Sequence, residues 1–286
     1  MAILDFLGKR KQDKDGGGDM SFIDHLEELR WHILRSVIAI LTGAVVVFIF
    51  IRNIVDDILF ASTDKNFISY KWFCDLSHWV GLGDGLCLNG VDAKFQSNTM
   101  TGQFISSFTI AFMGGLIVAF PYVFWEFWKF VKPALSLKER KRTRGIVFWV
   151  SLLFFAGVFF GYFVLTPFMI NFYFNYTLSD KVVVFPNFSD YLENLVYTTV
   201  GIGVLFQMPL LIMVLAKVGI VTAKFLRKYR RHALVVILIA AAIITPTTDP
   251  FSLGIVTIPL YLLYEAGINI AARINRRQEK QTKEWS

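Results

Sequence analysis

Two cysteines and four histidines in 286 residues leave little room for metal chemistry. Cys74 and Cys87 share one inter-span loop, and His25, His32, His78 and His232 fall near or outside the ends of apolar runs, so no His or Cys spacing frames a metal site. The same scarcity argues against an intramembrane enzyme, which needs a nucleophile with its base, or a metal pair, within the bilayer. No cofactor is expected. Gly81-Leu82-Gly83-Asp84-Gly85 lacks the GK[ST] ending of a phosphate loop and follows no strand, so it reads as a turn. No internal repeat marks the halves of an inverted-repeat transporter. Charge is absent from the whole stretch between Gly145 and Ser179.

What the chain has is apolar surface: 55% hydrophobic residues and 29 Phe exceed what a soluble domain of this length carries. Several charge-free runs approach the ~20 residues that cross a hydrocarbon core as a helix, and no alternating pattern suggests a barrel. The expected fold is an all-α polytopic membrane protein with six transmembrane helices, at about 33–51, 104–128, 146–166, 195–216, 233–248 and 251–272. Residues 1–20 and 273–286 read as flexible tails around a membrane domain at 21–272. Pro167 is expected to end the third span and leave the aromatic residues after it at the interface. The last two spans read as short, because 233–248 and 251–264 hold only 16 and 14 charge-free residues. Local thinning of the bilayer follows as a hypothesis. The first apolar run is longer than a secretory h-region of ~7–15 residues and is expected to remain as an anchor.

Six spans put both termini on one side. If that side is the cytoplasm, all but five of the 29 Lys and Arg lie inside, the exceptions being Arg52, Lys65, Lys71, Lys94 and Lys181. The net charge of +7 is thereby assigned to topology and to anionic lipid, not to nucleic acid. Cys74 and Cys87 then face an oxidising compartment, where they are either bridged or a pair of unlinked thiols.

Acids are the informative residues. Ser21 and Asp24 make a capping-box-like start for the first helix, on which Glu28, His32 and Arg35 share a face. Glu28 is either an i, i+4 partner of His32 or a carboxylate at the inner membrane surface awaiting a cation. Glu139 is the one acid among Lys138, Arg140, Lys141, Arg142 and Arg144, after the aromatic belt of residues 120–130. It either relieves loop repulsion or waits for a partner. Two carboxylates on the same side could take two guanidinium groups by bidentate hydrogen bonds, a geometry lysine cannot reproduce.

These residues carry a resemblance. His25-Leu26-x-Glu28-Leu29-Arg30, then Pro121, Trp128, Phe130, Pro133-Ala134-Leu135 and Glu139-Arg140, then Phe206-x-x-Pro209, Thr245-Pro246, Pro259 and Glu265, resemble in order the TatC subunits of twin-arginine protein translocases. The resemblance runs from Ser21 to about Arg273. It implies a non-enzymatic receptor for the twin-arginine signal peptides of folded proteins, in the bacterial cytoplasmic membrane. Transport would be driven by the proton-motive force, with TatA-type and TatB-type single-span partners and other TatC copies. The family's receptor site maps onto Glu28, Arg30, Phe130 and Glu139. Pro121, Pro133, Pro209, Gln207, Asp249 and Glu265 become partner-contact or structural positions. A small-solute secondary transporter is the alternative, but it predicts midplane charges where Gln207 stands alone.

The departures are specific. Gln207 occupies a place in the fourth span where the family often has an acid, and is either a helix contact or a partner contact. Glu126 stands where the family tends to have Gln and is expected at the headgroup level. His32 stands where the family usually has another base. Asp249 follows Pro246 after two threonines, which leaves its match to the family's external acid open by a residue. Glu265 is expected either to snorkel or to make a polar contact within the bundle.

Overall fold

A computed structural model describes residues 22–81, 83–88, 90, 95–132, 145–176, 179, 181, 185–245 and 250–283. Pro133, Glu139, Pro246 and Asp249 lie outside these residues. The described chain is helical, with a single isolated β-bridge between Gln96 and Asn187. Among the described residues five helical segments are long and apolar enough to cross a membrane: Glu27–Ile49, Gly102–Val131, Ile146–Asn175, Phe188–Val218 and Ser252–Gln278.

The first crossing is α1 (Phe22–Ile49), followed by irregular helical turns through Thr63 and by α2 (Ile68–Val80), which lies in the first loop. The second is α3 (Gly102–Val131). The third joins α4 (Ile146–Phe160) to α5 (Thr166–Asn175) through a π-turn at Gly161–Leu165. Pro167 does not end this span. The π-turn restarts the helix at Thr166, so Pro167 falls in the first turn, where a missing N–H has no partner to lose. The aromatic residues after it therefore continue the helix.

The fourth crossing uses the same device. α6 (Phe188–Leu205) stops, Phe206 and Gln207 form a break, and α7 (Met208–Val218) restarts with Pro209 in its first turn. After the short α8 (Ala223–Lys228), α9 (Arg230–Ile244) has only 15 residues, about 22 Å at 1.5 Å per residue. α10 (Pro250–Lys283) is not short: its 34 residues carry the helix through the stretch expected to be a tail. The apolar run there ends at Glu265, but helix-forming polar residues prolong the backbone well beyond it.

α1 packs along α3, α3 lies beside α4 and α6, and α7, α8 and α9 lean on α10. The α1–α3 seam is built from small residues, as in membrane bundles generally. A Cβ on Gly115 would sit 2.4 Å from the Ala44 backbone nitrogen, so only glycine permits that approach. Among the described residues three buried clusters fill the bundle, one around Ile202, Val256, Leu260 and Ile268, one around Ile110, Ile170, Leu192 and Leu195, and a smaller one of Phe124, Trp128 and Val150. By contrast Ile33, Val37, Ile38, Leu41 and Val45 of α1 are exposed, a face suited to lipid. We call the end carrying the start of α1 and the close of α3 the terminal end, and the end carrying α2 the loop end.

Candidate functional site

At the terminal end the helical repeat brings Glu28, His32 and Arg35 of α1 against Glu126, Lys129 and Phe130 of α3. Glu126 is the centre. It is 1% exposed, and both its oxygens are occupied. Oε2 accepts from His32 Nδ1 at 2.6 Å with Arg35 Nη1 at 3.9 Å, while Oε1 accepts from Lys129 Nζ at 2.9 Å. A carboxylate only accepts, so Nδ1 carries the proton in this pair. Lys129 also lies 3.3 Å above the Trp125 ring, a cation–π contact that holds its stem.

Glu28 has a different setting. Its nearest described base is His32, whose Nε2 stands 3.9 Å from Oε1, outside hydrogen-bond distance, and whose other nitrogen is committed to Glu126. Its side chain is 37% exposed. Phe130 is half-buried, its ring edge-on to His32 at 6.4 Å, and Arg30 is exposed two residues after Glu28, on another face of α1. The structure thus groups Glu28, Arg30 and Phe130 at one end. Glu139, expected beside them, lies outside the described residues.

Sequence reasoning expected Glu126 as an extra acid at the headgroup level and did not foresee that it is buried and fully paired. The available signal was its spacing to Lys129 and the coincidence of two departures, Glu126 and His32, in one sequence. In the structure those two residues are each other's partner.

The other expected positions fall elsewhere. Gln207 sits at the break between α6 and α7, where its Nε2 donates to Gly203 O at 3.4 Å on its own helix and its Oε1 is buried without a partner. Pro209 is buried in the next turn, and Pro121 lies inside α3. Glu265 makes a polar contact within the bundle: Arg230 at the start of α9 donates to it at 2.7 Å and Tyr261 at 3.3 Å, tying α9 to α10.

At the loop end the buried polar contacts between elements are made by neutral hydroxyls, and the ion pairs Arg52–Asp56 and His78–Asp84 there are exposed. Tyr191 donates to Leu59 O at 2.8 Å and shares a hydrogen bond with Ser62 Oγ at 2.8 Å, Tyr70 donates to Ser62 O at 2.7 Å, and Tyr162 donates to Ile58 O. Burial pushes the Tyr70 phenol up to about 12. Cys74 and Cys87 are joined in a disulfide. Their sulfurs, His78 and Asp84 place ligand atoms within 4.8 Å of one another, but sulfurs bonded to each other are not thiolates and hold no metal. Below this layer lies an apolar cavity of about 590 Å3, lined by Val47, Ile58, Phe67, Ile110, Phe163 and Leu195 among others.

Residues 24–259 match the sequence profile of the Sec-independent protein translocase protein (TatC). The chain is 37% identical over 266 residues to the Sec-independent protein translocase protein TatC of Blattabacterium sp. subsp. Periplaneta americana, covering 93% of this chain and 100% of the relative. It is 32% identical to the protein of the same name in Deinococcus radiodurans, over 88% of this chain and 86% of that one. Among solved structures it is similar to the twin arginine translocase receptor TatC crystallised in DDM, with a TM-score of 0.68 and 26% identity over 86% of this chain and 99% of that chain.

Proposed function

Because this chain belongs to the TatC family and is a component of a Sec-independent protein translocase, we propose that it is the receptor subunit, capturing twin-arginine signal peptides at the terminal end of the bundle. The observation that carries this reading is the contrast between two carboxylates on adjacent helices. Glu126 is buried and fully paired, so it is unavailable to a ligand. Glu28 is partly exposed, and no described base comes within hydrogen-bond distance of it. It keeps the capacity to take a guanidinium bidentately, and Glu139 would take the second. Phe130 flanks the first site, and Arg30 helps set the field around it.

On this reading the terminal end faces the cytoplasm of a bacterial cell, both termini are cytoplasmic, and the membrane is the cytoplasmic membrane. The substrate's apolar h-region runs between spans toward the cavity of about 590 Å3, whose lining is almost wholly hydrocarbon. TatA-type and TatB-type single-span helices and further copies of this chain are the partners, and the proton-motive force drives transport. The 15-residue α9 is the element that would thin the bilayer near them.

A signal peptide with consecutive arginines, bearing a photoreactive group, should crosslink near Glu28 in membranes containing the chain. Its lysine-pair counterpart should be captured far less, and Glu28→Gln should lower capture of the arginine peptide. Equal capture of the two peptides would sink the bidentate mechanism.

A further inference from the structure

α2 has three faces. Ser69, Tyr70, Phe73 and Ser77 are buried against the bundle. Lys71, Asp75 and His78 form an exposed polar face. Between these two, Ile68, Trp72, Leu76 and Trp79 recur at helical spacing and stand in the open, Ile68 at 68%, Trp72 at 57% and Trp79 at 85% exposure. An apolar stripe with two tryptophans on a helix outside the spans requires an explanation.

Its height in the bundle supplies one. Phe73 of α2 packs on Phe168 with ring centroids 4.9 Å apart, and Phe67, at its N-cap, stacks on Phe163. Phe168 lies 22 residues along the third crossing from Ile146, about 33 Å at 1.5 Å per residue. The segment just before α2 is held by Tyr191, which is one turn into α6, about 40 Å from the far end of that crossing at Val218. A hydrocarbon core is about 30 Å thick and the whole bilayer about 40–45 Å. With the terminal ends of both crossings in the opposite headgroup layer, rises of about 33 and 40 Å bring α2 to the edge of the hydrocarbon core and the headgroups over it.

We propose that α2 is an interfacial helix whose Ile68, Trp72, Leu76 and Trp79 stripe is seated in the phospholipid of the leaflet at the loop end. The occupant is lipid because the stripe lies at the depth where indole rings partition, alongside crossings whose own outer faces are apolar, and because a polar face adjoins it to meet water. The stripe cannot turn inward. Its opposite face is fixed by the Tyr70 to Ser62 hydrogen bond and the Phe73 contact, and Cys74 ties the helix to the turn at Cys87. Seating the helix also fixes Phe67, which lines the apolar cavity, so the lipid anchor sets the outer wall of that cavity. None of this depends on which peptide the terminal end binds.

The test uses the full chain in lipid nanodiscs with no other protein, labelled with fluorotryptophan. The Trp72 and Trp79 fluorine signals are assigned by loss in Trp72→Phe and Trp79→Phe, and buried Trp128 serves as internal reference. Lipids carrying a nitroxide near the headgroup should broaden the Trp72 and Trp79 signals several-fold more than Trp128. An aqueous gadolinium chelate should leave them sharp. Broadening by gadolinium without broadening by the nitroxide lipid overturns the proposal. So does gadolinium exposure that is lost only on adding a single-span partner, which would make the stripe a protein-docking face instead.

Discussion

The two ends of the bundle hold their helices together by opposite chemistry. At the terminal end a buried carboxylate gathers His32, Lys129 and, more distantly, Arg35. At the loop end tyrosine and serine hydroxyls close onto backbone carbonyls, with stacked rings of Phe60 and Tyr191 between them and a disulfide alongside. Ion pairs in a desolvated place demand full pairing, whereas neutral hydrogen bonds tolerate loss of one member. The charged end is therefore the more easily broken. It also carries Glu28, the partly exposed carboxylate proposed above to take a guanidinium, beside a Glu126 that is already paired. The neutral end is built to stay still.

Breaking the charged end should have the largest effect. Glu126→Ala leaves His32 and Lys129 without their acceptor and should cost roughly 3–5 kcal/mol, the usual penalty for orphaning one side of a buried pair. Glu126→Gln keeps an acceptor oxygen for His32 and should cost clearly less. Thermal unfolding of the purified chain in detergent gives both numbers, and equal destabilisation by the two variants would mean that volume, not pairing, matters there.

At the loop end, reducing Cys74–Cys87 should remove about 3 kcal/mol, as expected for a cross-link closing a loop of about 15 residues, in the chain-entropy account. Loss of α2 helicity on reduction, with the terminal end unmoved in hydrogen exchange, would sharpen the division between the ends. Tyr191→Phe deletes the hydroxyl that Leu59 O and Ser62 share and should cost about 1–3 kcal/mol. A larger loss than that of Glu126→Ala would reverse the comparison.

How much of this was legible in the sequence differs by end as well. Apolar runs located the crossings, since a bilayer imposes a minimum length on any helix that spans it. Proline misled at Pro167 because a local rule about interrupted hydrogen bonds ignores a π-turn that restarts the helix one residue earlier. The end of α10 was missed for a related reason: hydropathy reports where lipid stops, not where a helix does. Helical spacing singled out Glu28 and resemblance added Arg30 and Phe130 as candidates, but the pairing of Glu126 was not foreseen. Burial at the close of an aromatic belt depends on which neighbour faces it, and that neighbour, His32, is 94 residues away in the chain. The loop-end hydroxyl network was invisible for the same reason, since Ser62 and Tyr191 are 129 residues apart.

The smallest effect tests whether the neutral end is neutral at all pH. The Tyr70 phenol is pushed up to about 12 by burial, against an ordinary value of 10. A raised folded-state value means the folded chain holds this proton more tightly than the unfolded one. Its contribution is fully present below pH 10 and is lost as pH climbs from 10 toward 12. Ionising Tyr70 would remove the donor to Ser62 O and place a charge beside the buried Phe73 ring, so α2 should loosen in that window while the terminal end holds. Hydrogen exchange at α2 measured across that window, with Tyr70→Phe as reference, reads the effect. The variant should lack the alkaline step, and an identical step in both proteins would assign it to another group.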